Sequence, residues 1–275
     1  MSYVNPNLAK LDISKLSEKD VLDALDKHYT SLRKFVRGVA QNKWHLIVNG
    51  DAGMGKTETV NDVLDAVENV KVDSVSGTIS PVLLYGKLQE NSKPNDILVI
   101  DDSDKTLEDT ECLEVLKASL DSKKDKTVDW TKYSTVLNKK NLKTSFKYEG
   151  RTIIITNKML RTAPSDMPTT QQQRVSPLLS RVHYFKAGVP STQWKIAAIK
   201  MHKIGYESKW EPGVKYELRC LKGVSLTTQN EVVYWLEKHQ DELREISFRI
   251  VKILVDLIDE EPDFWEELAS ASLLY

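Results

Sequence analysis

The chain has 275 residues, 40% of them apolar and 29% charged, and its 39 Lys and Arg against 40 Asp and Glu leave a formal net charge of -1. That length suits one large domain or two smaller ones, and the charge balance excludes an overall basic field that would draw the protein onto DNA or an anionic membrane. The two cysteines, Cys112 and Cys220, lie far apart and near no His/Cys cluster, which points away from a disulfide framework or a zinc site.

The first residues, MSYVNPNLAKLDISKLSEKD, lack the basic-then-apolar order of a secretory leader. No apolar run approaches the roughly 20 residues of a membrane span, so no membrane association and a cytoplasmic location are expected. Ser17 with Asp20 reads as a helix start. Behind it Val21, Leu22, Leu25, Tyr29, Leu32, Phe35 and Val36 recur at helical spacing. KWHLIVNG is a short apolar run closed by Gly50 and reads as a buried strand. Lys56 to Val67 reads as a helix with Val60, Val63, Leu64 and Val67 on one face.

VKVDSVSG is the next strand, followed by SPVLLYGKLQENS, a short helix opened by Ser80 and Pro81. DILVIDD is a strand of four apolar residues ending in acids. LEDTECLEVLKASLD is helical, and RTIIITN and VHYFKA are strands. Strands thus alternate with helices up to Ala187, the pattern of a mostly parallel sheet with helices on both faces. Past AGVPSTQ the spacing turns helical throughout, in WKIAAIKMHKIG, QNEVVYWLEKH, ISFRIVKILVDLI and DFWEELASASLL. The expected organisation is an N-terminal helical segment over 1–43, an α/β nucleotide-binding domain over 44–188 and a small α-helical domain over 189–275.

Between the first strand and its helix stands GDAGMGKTE. Gly50-x-x-x-x-Gly55-Lys56-Thr57 satisfies the phosphate-loop pattern, in the strand–loop–helix position that the chemistry requires. Glycines let the backbone wrap a phosphate with its N–H groups inward, and the helix N-terminus adds partial positive charge. Gly50, Asp51, Ala52, Gly53, Met54 and Gly55, with Glu58 just inside the helix, are expected to line ATP. Lys56 would reach its β- and γ-phosphates, and Thr57 would ligate Mg2+. ILVIDDSD supplies the second carboxylate that such a site needs. Asp101 is expected to hold Mg2+ through water and Asp102 to polarise the attacking water, with Asp104 as the alternative.

With these two motifs the sequence resembles the AAA+ ATPases, over Trp44 to about Ile258. The resemblance implies a phosphate-loop NTPase core, its parallel sheet flanked by helices, followed by a small all-α lid domain. It also implies an ATPase that works as a homo-oligomeric ring of five or six subunits. In that family a polar residue ends the strand after the acidic motif. Asn157 in IIITN matches it and looks like the sensor that orients water against the γ-phosphate. VSPLLSRVHYF is similar to the Ser-Arg element of clamp-loader-type subunits, which implies that Arg181 reaches the neighbouring subunit's nucleotide, with Arg174 as the fallback. An arginine's fixed fork can spread positive charge over the phosphate oxygens. The family's lid arginine, which acts on the same subunit's nucleotide, is matched by Arg249 in SFRIVKIL or by nearby Arg244. One residue departs from the family: its usual second acid is Glu, and Asp102 is one methylene shorter, so the water would sit differently and turnover would be slower. The finer order of SGTISPVLLYGKLQENS, DILVIDDSD and PLLSR resembles a group of bacteriophage-encoded AAA+ ATPases, which implies the cytoplasm of a bacterial host.

The client is read from two segments. Protein-threading members of the family usually carry an aromatic-apolar-Gly loop after the second strand, but SVSGTISP has no aromatic residue and Tyr85 falls on a helix. Ser122 to Lys147 occupies the position that faces the central channel in ring-forming members. Lysines dominate it, with Trp130, Tyr133 and Phe146 interleaved. Lysines can neutralise phosphates and aromatics can stack on bases; the same pattern also suits a solvated loop whose aromatics pack on the core. Two functions follow. One is an ATP-driven machine of the helicase-loader or clamp-loader kind, with single-stranded DNA or a replication protein as partner. The other is a protein remodeller or nucleotide-dependent interaction switch with slow hydrolysis.

Overall fold

The computed structural model describes residues 8–102, 104–121, 123, 126–158, 160 and 170–275. Apolar β-branched runs form its most buried strands and amphipathic stretches its helices. In chain order these are α1 (Glu18–Ala40), β1 (Leu46–Asn49), α2 (Lys56–Asp65), β2 (Lys71–Ser76), α3 (Pro81–Glu90), β3 (Asp96–Asp101), α4 (Thr110–Ser119), β4 (Thr127–Asp129), α5 (Thr135–Lys139), β5 (Ser145–Lys147), β6 (Arg151–Thr156), α6 (Thr170–Leu179), β7 (His183–Lys186), α7 (Thr192–Lys203), α8 (Leu226–Lys238), α9 (Phe248–Glu260) and α10 (Trp265–Leu273). Ser17 opens α1 as its residue type suggests: its Oγ accepts from Asp20 N at 3.2 Å and donates to Asp20 Oδ2 at 2.6 Å.

Five strands make one parallel sheet in the order β2-β3-β6-β1-β7. Successive side chains of a strand point to opposite faces. Ile47, Leu98, Ile100 and Ile154 therefore enter a core with Leu84 and Leu88 of α3, Leu113 and Leu116 of α4, and Val175 and Leu178 of α6. Their neighbours Leu46, Val48, Ile97, Val99, Ile153 and Ile155 enter the opposite core, with Leu32, Val36 and Val39 of α1 and Val60, Val63 and Leu64 of α2. A parallel sheet covered by helices on both faces, carrying a phosphate loop after β1 and followed by a helical C-terminal region, is the fold class that the sequence led us to expect.

By its contacts the chain forms two compact units. Leu32–Gly50 with Lys56–Ala187 holds the sheet; Met1–Ser31, Asp51–Gly55 and Gly188–Tyr275 form the other. The second unit has two cores. One gathers Trp235 and Leu236 of α8, Val251 and Leu254 of α9, and Trp265 and Ala269 of α10. The other joins Val21, Leu25 and Tyr29, from the first half of α1, to Trp194, Ala198 and Met201 of α7 and to Met54. Asp26 is fully buried there and accepts from Ser208 Oγ at 2.6 Å, Lys209 N at 2.7 Å and Tyr216 Oη at 3.1 Å. These donors offset the cost of burying its carboxylate.

Within the Lys-rich segment, β4 and β5 pair antiparallel, with α5 between them. Residues 122, 124 and 125 of that segment lie outside the described residues. Trp130 and Phe146 pack on the core beside Tyr85, with ring centroids 5.5 and 5.1 Å away. Of the three interleaved aromatics only Tyr133 is exposed, at 86%; for Trp130 and Phe146 the structure has the core packing that the sequence allowed beside base stacking. Neither cysteine forms a disulfide; Cys112 is buried and burial pushes its thiol up to about 12, while Cys220 is half-buried. Among the described residues no helix is long and apolar enough to cross a membrane.

Candidate nucleotide site

Because the strands of the sheet run parallel, Gly50, Asp102 and Asn157 leave it at one end, after β1, β3 and β6. The register pairs Asn49 with Thr156 and Asp101 with Ile155, and Gly50 N donates to Thr156 O at 3.2 Å. This carboxyl end is where open parallel sheets meet their ligands.

Lys56, the first residue of α2, is buried. Its ammonium donates to Gly50 O and to Asn157 Oδ1, both at 2.8 Å. Asn157 Nδ2 donates in turn to Asp102 Oδ1 at 3.2 Å. One hydrogen-bonded chain thus joins the loop lysine, the amide beyond β6 and the acid beyond β3. Beside it, Thr57 Oγ1 donates to Asp101 Oδ1 at 3.2 Å. A hydroxyl next to a carboxylate is a hard-oxygen set that fits Mg2+.

Burial holds the Asp101 carboxyl above its usual range; the Thr57 hydrogen bond opposes that rise and the Asp102 charge adds to it. A divalent cation would relieve both the burial and the like charge. Asp102 is exposed, with φ +47°. A non-glycine residue in the left-handed region carries local strain, which an Asp bears better than a β-branched residue. Asp104 is engaged elsewhere and accepts from Thr156 Oγ1 at 2.5 Å.

The middle of the loop, Asp51–Gly55, groups with the C-terminal unit. Gly53 and Gly55 have φ of +70° and +78°, the left-handed backbone that glycine adopts without penalty. A Cβ on Gly53 would stand 2.6 Å from Ser247 Cβ, and one on Gly55 3.1 Å from the Phe248 ring. Gly53 O accepts from Phe248 N at 2.8 Å. Arg249, exposed on the first turn of α9, brings its Cγ to 3.6 Å from the same Gly53 Cβ position. Arg244 is exposed, and its N donates to Leu273 O at 3.3 Å. Met54 is buried, Ala52 is half-buried, and Asp51 pairs with Lys195 at 2.9 Å. Glu58 is half-buried in the first turn of α2. Ser247 and Phe248 stand beside Arg249 in SFRIVKIL and Lys195 in WKIAAIKMHKIG, and none of the three was singled out by the sequence. Helical spacing places them on α9 and α7 but does not distinguish a loop contact from a core contact.

Arg181 lies at the other end of the sheet. The pairing of His183 with Leu46 sets it beside the start of β1. Four residues at ~3.3 Å each separate that level from Gly50, about 13 Å, and Arg181 precedes His183 by two residues. Its Nε donates to Asp121 Oδ2 at 3.2 Å and its Nη1 to Pro177 O at 2.5 Å. Arg174 is exposed on α6. The sheet unit therefore gathers Gly50, Lys56, Thr57, Asp101, Asp102 and Asn157 and keeps Arg181 apart from them.

No protein-family model matches the chain. It is similar to the "uncharacterized 36.7 kDa protein in nrdC-mobD intergenic region" of Enterobacteria phage T4, at 26% identity over 265 residues, covering 95% of this chain and 78% of that protein. Among solved structures it is similar to a RuvB mutant of Thermotoga maritima, with TM-score 0.49, 13% identity, and 93% and 70% of the two chains covered. It is also similar to the Thermotoga maritima RuvB Holliday junction branch migration motor, with TM-score 0.45, 12% identity, and 96% and 72% covered. For domain III of the Thermotoga maritima replication initiation protein DnaA the values are 0.44, 11%, 90% and 85%.

Proposed function

We propose that the protein is a Mg2+-dependent ATPase of the AAA+ type that assembles into a ring or partial ring and acts on DNA or a DNA-replication protein in phage DNA metabolism. The ATPase reading rests on the chain from Lys56 through Asn157 to Asp102, with the Thr57–Asp101 pair beside it. MgATP, when bound, supplies the scissile phosphoanhydride and the divalent charge. The N–H groups of the loop and the Lys56 ammonium hold phosphate oxygens. Thr57 and Asp101 hold the metal, and Asn157 and Asp102 orient a water, Asp102 as the group that polarises it. Arg249, in the same unit as Gly53, adds positive charge toward the phosphates that the loop holds.

The two adjacent acids separate by substitution. Asp102→Asn is expected to bind MgATP as wild type does and to turn over ~10²–10⁴-fold more slowly, the usual contribution of a positioned base. Asp101→Asn is expected to lose the Mg2+ dependence of nucleotide binding. Titration calorimetry with and without Mg2+, alongside a phosphate-release assay, reads both. Wild-type turnover in Asp102→Asn would move the role to Asp104.

The DNA reading is supported by Lys139, Lys140 and Lys143, exposed around α5 with Tyr133; the phage relative supports the phage context. ATPase rates with and without single- and double-stranded DNA, across protein concentrations, test it, and stimulation by DNA is the expected result. Replacing the three lysines with alanine is expected to weaken single-stranded DNA binding and to flatten its log–log salt slope by about 2, at ~0.7 for each phosphate no longer neutralised. Equal binding curves for the variant and wild type at low salt would assign the ATPase to a protein client.

A further inference from the structure

Where the strands of the sheet begin, at the end opposite Gly50, the sheet unit contains a cavity of about 580 Å³. Five Lys and Arg side chains line it against two carboxylates. Both carboxylates already have cationic partners: Asp121 takes Arg181 Nε at 3.2 Å, and Glu149 takes Lys147 at 3.2 Å. Of the other four lining cations Lys43 and Lys123 are exposed, and Lys126 and Arg151 are half-buried. Arg151 is half-buried and spends its Nη groups on backbone carbonyls, Nη1 on Glu149 O and Gly150 O at 3.0 and 2.8 Å and Nη2 on Asn42 O at 2.8 Å. Its Nε is buried without a partner. Lys126 donates to the Asp121 carbonyl at 2.8 Å and stands 5.7 Å from the centroid of the Tyr148 ring. Among the described residues neither cation has a carboxylate within 4.0 Å.

Two half-buried cations with no carboxylate within 4.0 Å among the described residues are costly, and their surroundings register it. Burial, then the Arg151 charge, push the Lys126 ammonium down to about 8. Burial, then Lys126 and Arg151, hold the His45 imidazole well below its usual range, and its Nδ1 accepts from Thr152 N at 3.1 Å. The neutral ring therefore keeps its proton on Nε2 and brings no charge to the lining.

We propose that this cavity binds a polyphosphate anion, with Lys126, Arg151 and Arg181 as its cationic donors. Arg151 Nη2, with one bond to Asn42 O, and Arg181 Nη2 are the guanidinium groups left to meet phosphoryl oxygens, and the lysine supplies a point charge. The volume lies in the range of small-ligand pockets. The anion has two sources of one chemistry: a free polyphosphate, or the phosphate tail of a nucleotide held by a second copy of this chain. The second source rests on the ATPase reading above; the first does not.

The test uses the full chain carrying Lys56→Ala, which removes phosphate binding at the loop. Tripolyphosphate is titrated into it by calorimetry at concentrations where light scattering shows monomers. Binding that weakens tenfold or more in Lys126→Gln and returns in Lys126→Arg establishes the site with a free anion; the rescue separates loss of a donor from loss of fold. In a second arm the Lys56→Ala chain is mixed at assembling concentrations with Arg181→Ala subunits, which keep an intact phosphate loop, and ATP turnover is read. Tenfold lower turnover on adding Lys126→Gln to the Lys56→Ala chain, recovered by Lys126→Arg, establishes a nucleotide on the second copy as the source. If tripolyphosphate does not bind in a Lys126-dependent way and Lys126→Gln leaves the mixture unchanged, the proposal is overturned. ATP titration into the wild-type chain separately reads the ATPase assignment, so the two failures are distinguishable.

Discussion

Lys56→Ala is expected to lower ATP affinity about 100-fold or more and to leave no measurable hydrolysis. The Lys56 ammonium is buried and makes two hydrogen bonds of 2.8 Å at the end of the sheet where the site forms. A hydrogen bond to a charged group contributes ~1.5–3 kcal/mol, and each 1.4 kcal/mol is tenfold in affinity. Two such bonds turned toward phosphate oxygens therefore account for a loss of that size. The same truncation leaves Gly50 O and Asn157 Oδ1 without this donor, so a modest fall in melting temperature should accompany it. Calorimetry reads the affinity and a thermal melt reads the fold. A folded variant with unchanged ATP affinity would remove the nucleotide site from Lys56.

Arg181→Ala is expected to lower turnover ~10³–10⁵-fold, the range for an arginine that stabilises the phosphoryl-transfer transition state, while ATP affinity stays near wild type. The level of His183, two residues past Arg181, is already about 13 Å from Gly50 by the rise of β1, which is beyond the span of an arginine side chain. On the proposed reading a second copy receives it, and the Asp121 contact yields when it does. Turnover should therefore rise more steeply than protein concentration until assembly is complete. Arg181→Ala subunits mixed with Lys56→Ala subunits should regain part of the activity, because some interfaces pair an intact loop with an intact arginine. Dilution should abolish the gain. Specific activity that stays constant down to the monomer, with no rescue in the mixture, would make Arg181 a structural partner of Asp121.

The middle of the sheet was legible because its three central strands, LIVN, DILVI and RTIIIT, are short β-branched apolar runs buried on both faces. β4 and β5 have three residues each, too few to show a period, and α6 carries Pro177 inside it and only a weak apolar stripe. The phosphate loop was legible because its chemistry is contiguous in the chain. The Lys56–Asn157 hydrogen bond spans 101 residues, and only the known order of such motifs could suggest it. Nothing local marks Ser247 and Phe248 as the residues against Gly53, since both read as ordinary positions at the start of an amphipathic helix. Trp130 and Phe146 show the opposite hazard: an aromatic between lysines looks like a base-stacking residue until its ring is found against Tyr85. The cavity at the amino end was hidden for a related reason, being assembled from residues in or before five different strands.

The placement of the two thiols gives the chain a use of its own. Cys112 belongs to the sheet unit and Cys220 to the C-terminal unit, and neither is in a disulfide. A thiol that burial holds protonated is a poor nucleophile until its surroundings open. An alkylating reagent therefore times local unfolding at Cys112 rather than intrinsic reactivity. Half-exposed Cys220 dates the other unit on a faster scale. The native sequence thus carries one chemical clock per unit, and a single mass spectrum can follow how each loosens without a label being engineered into either.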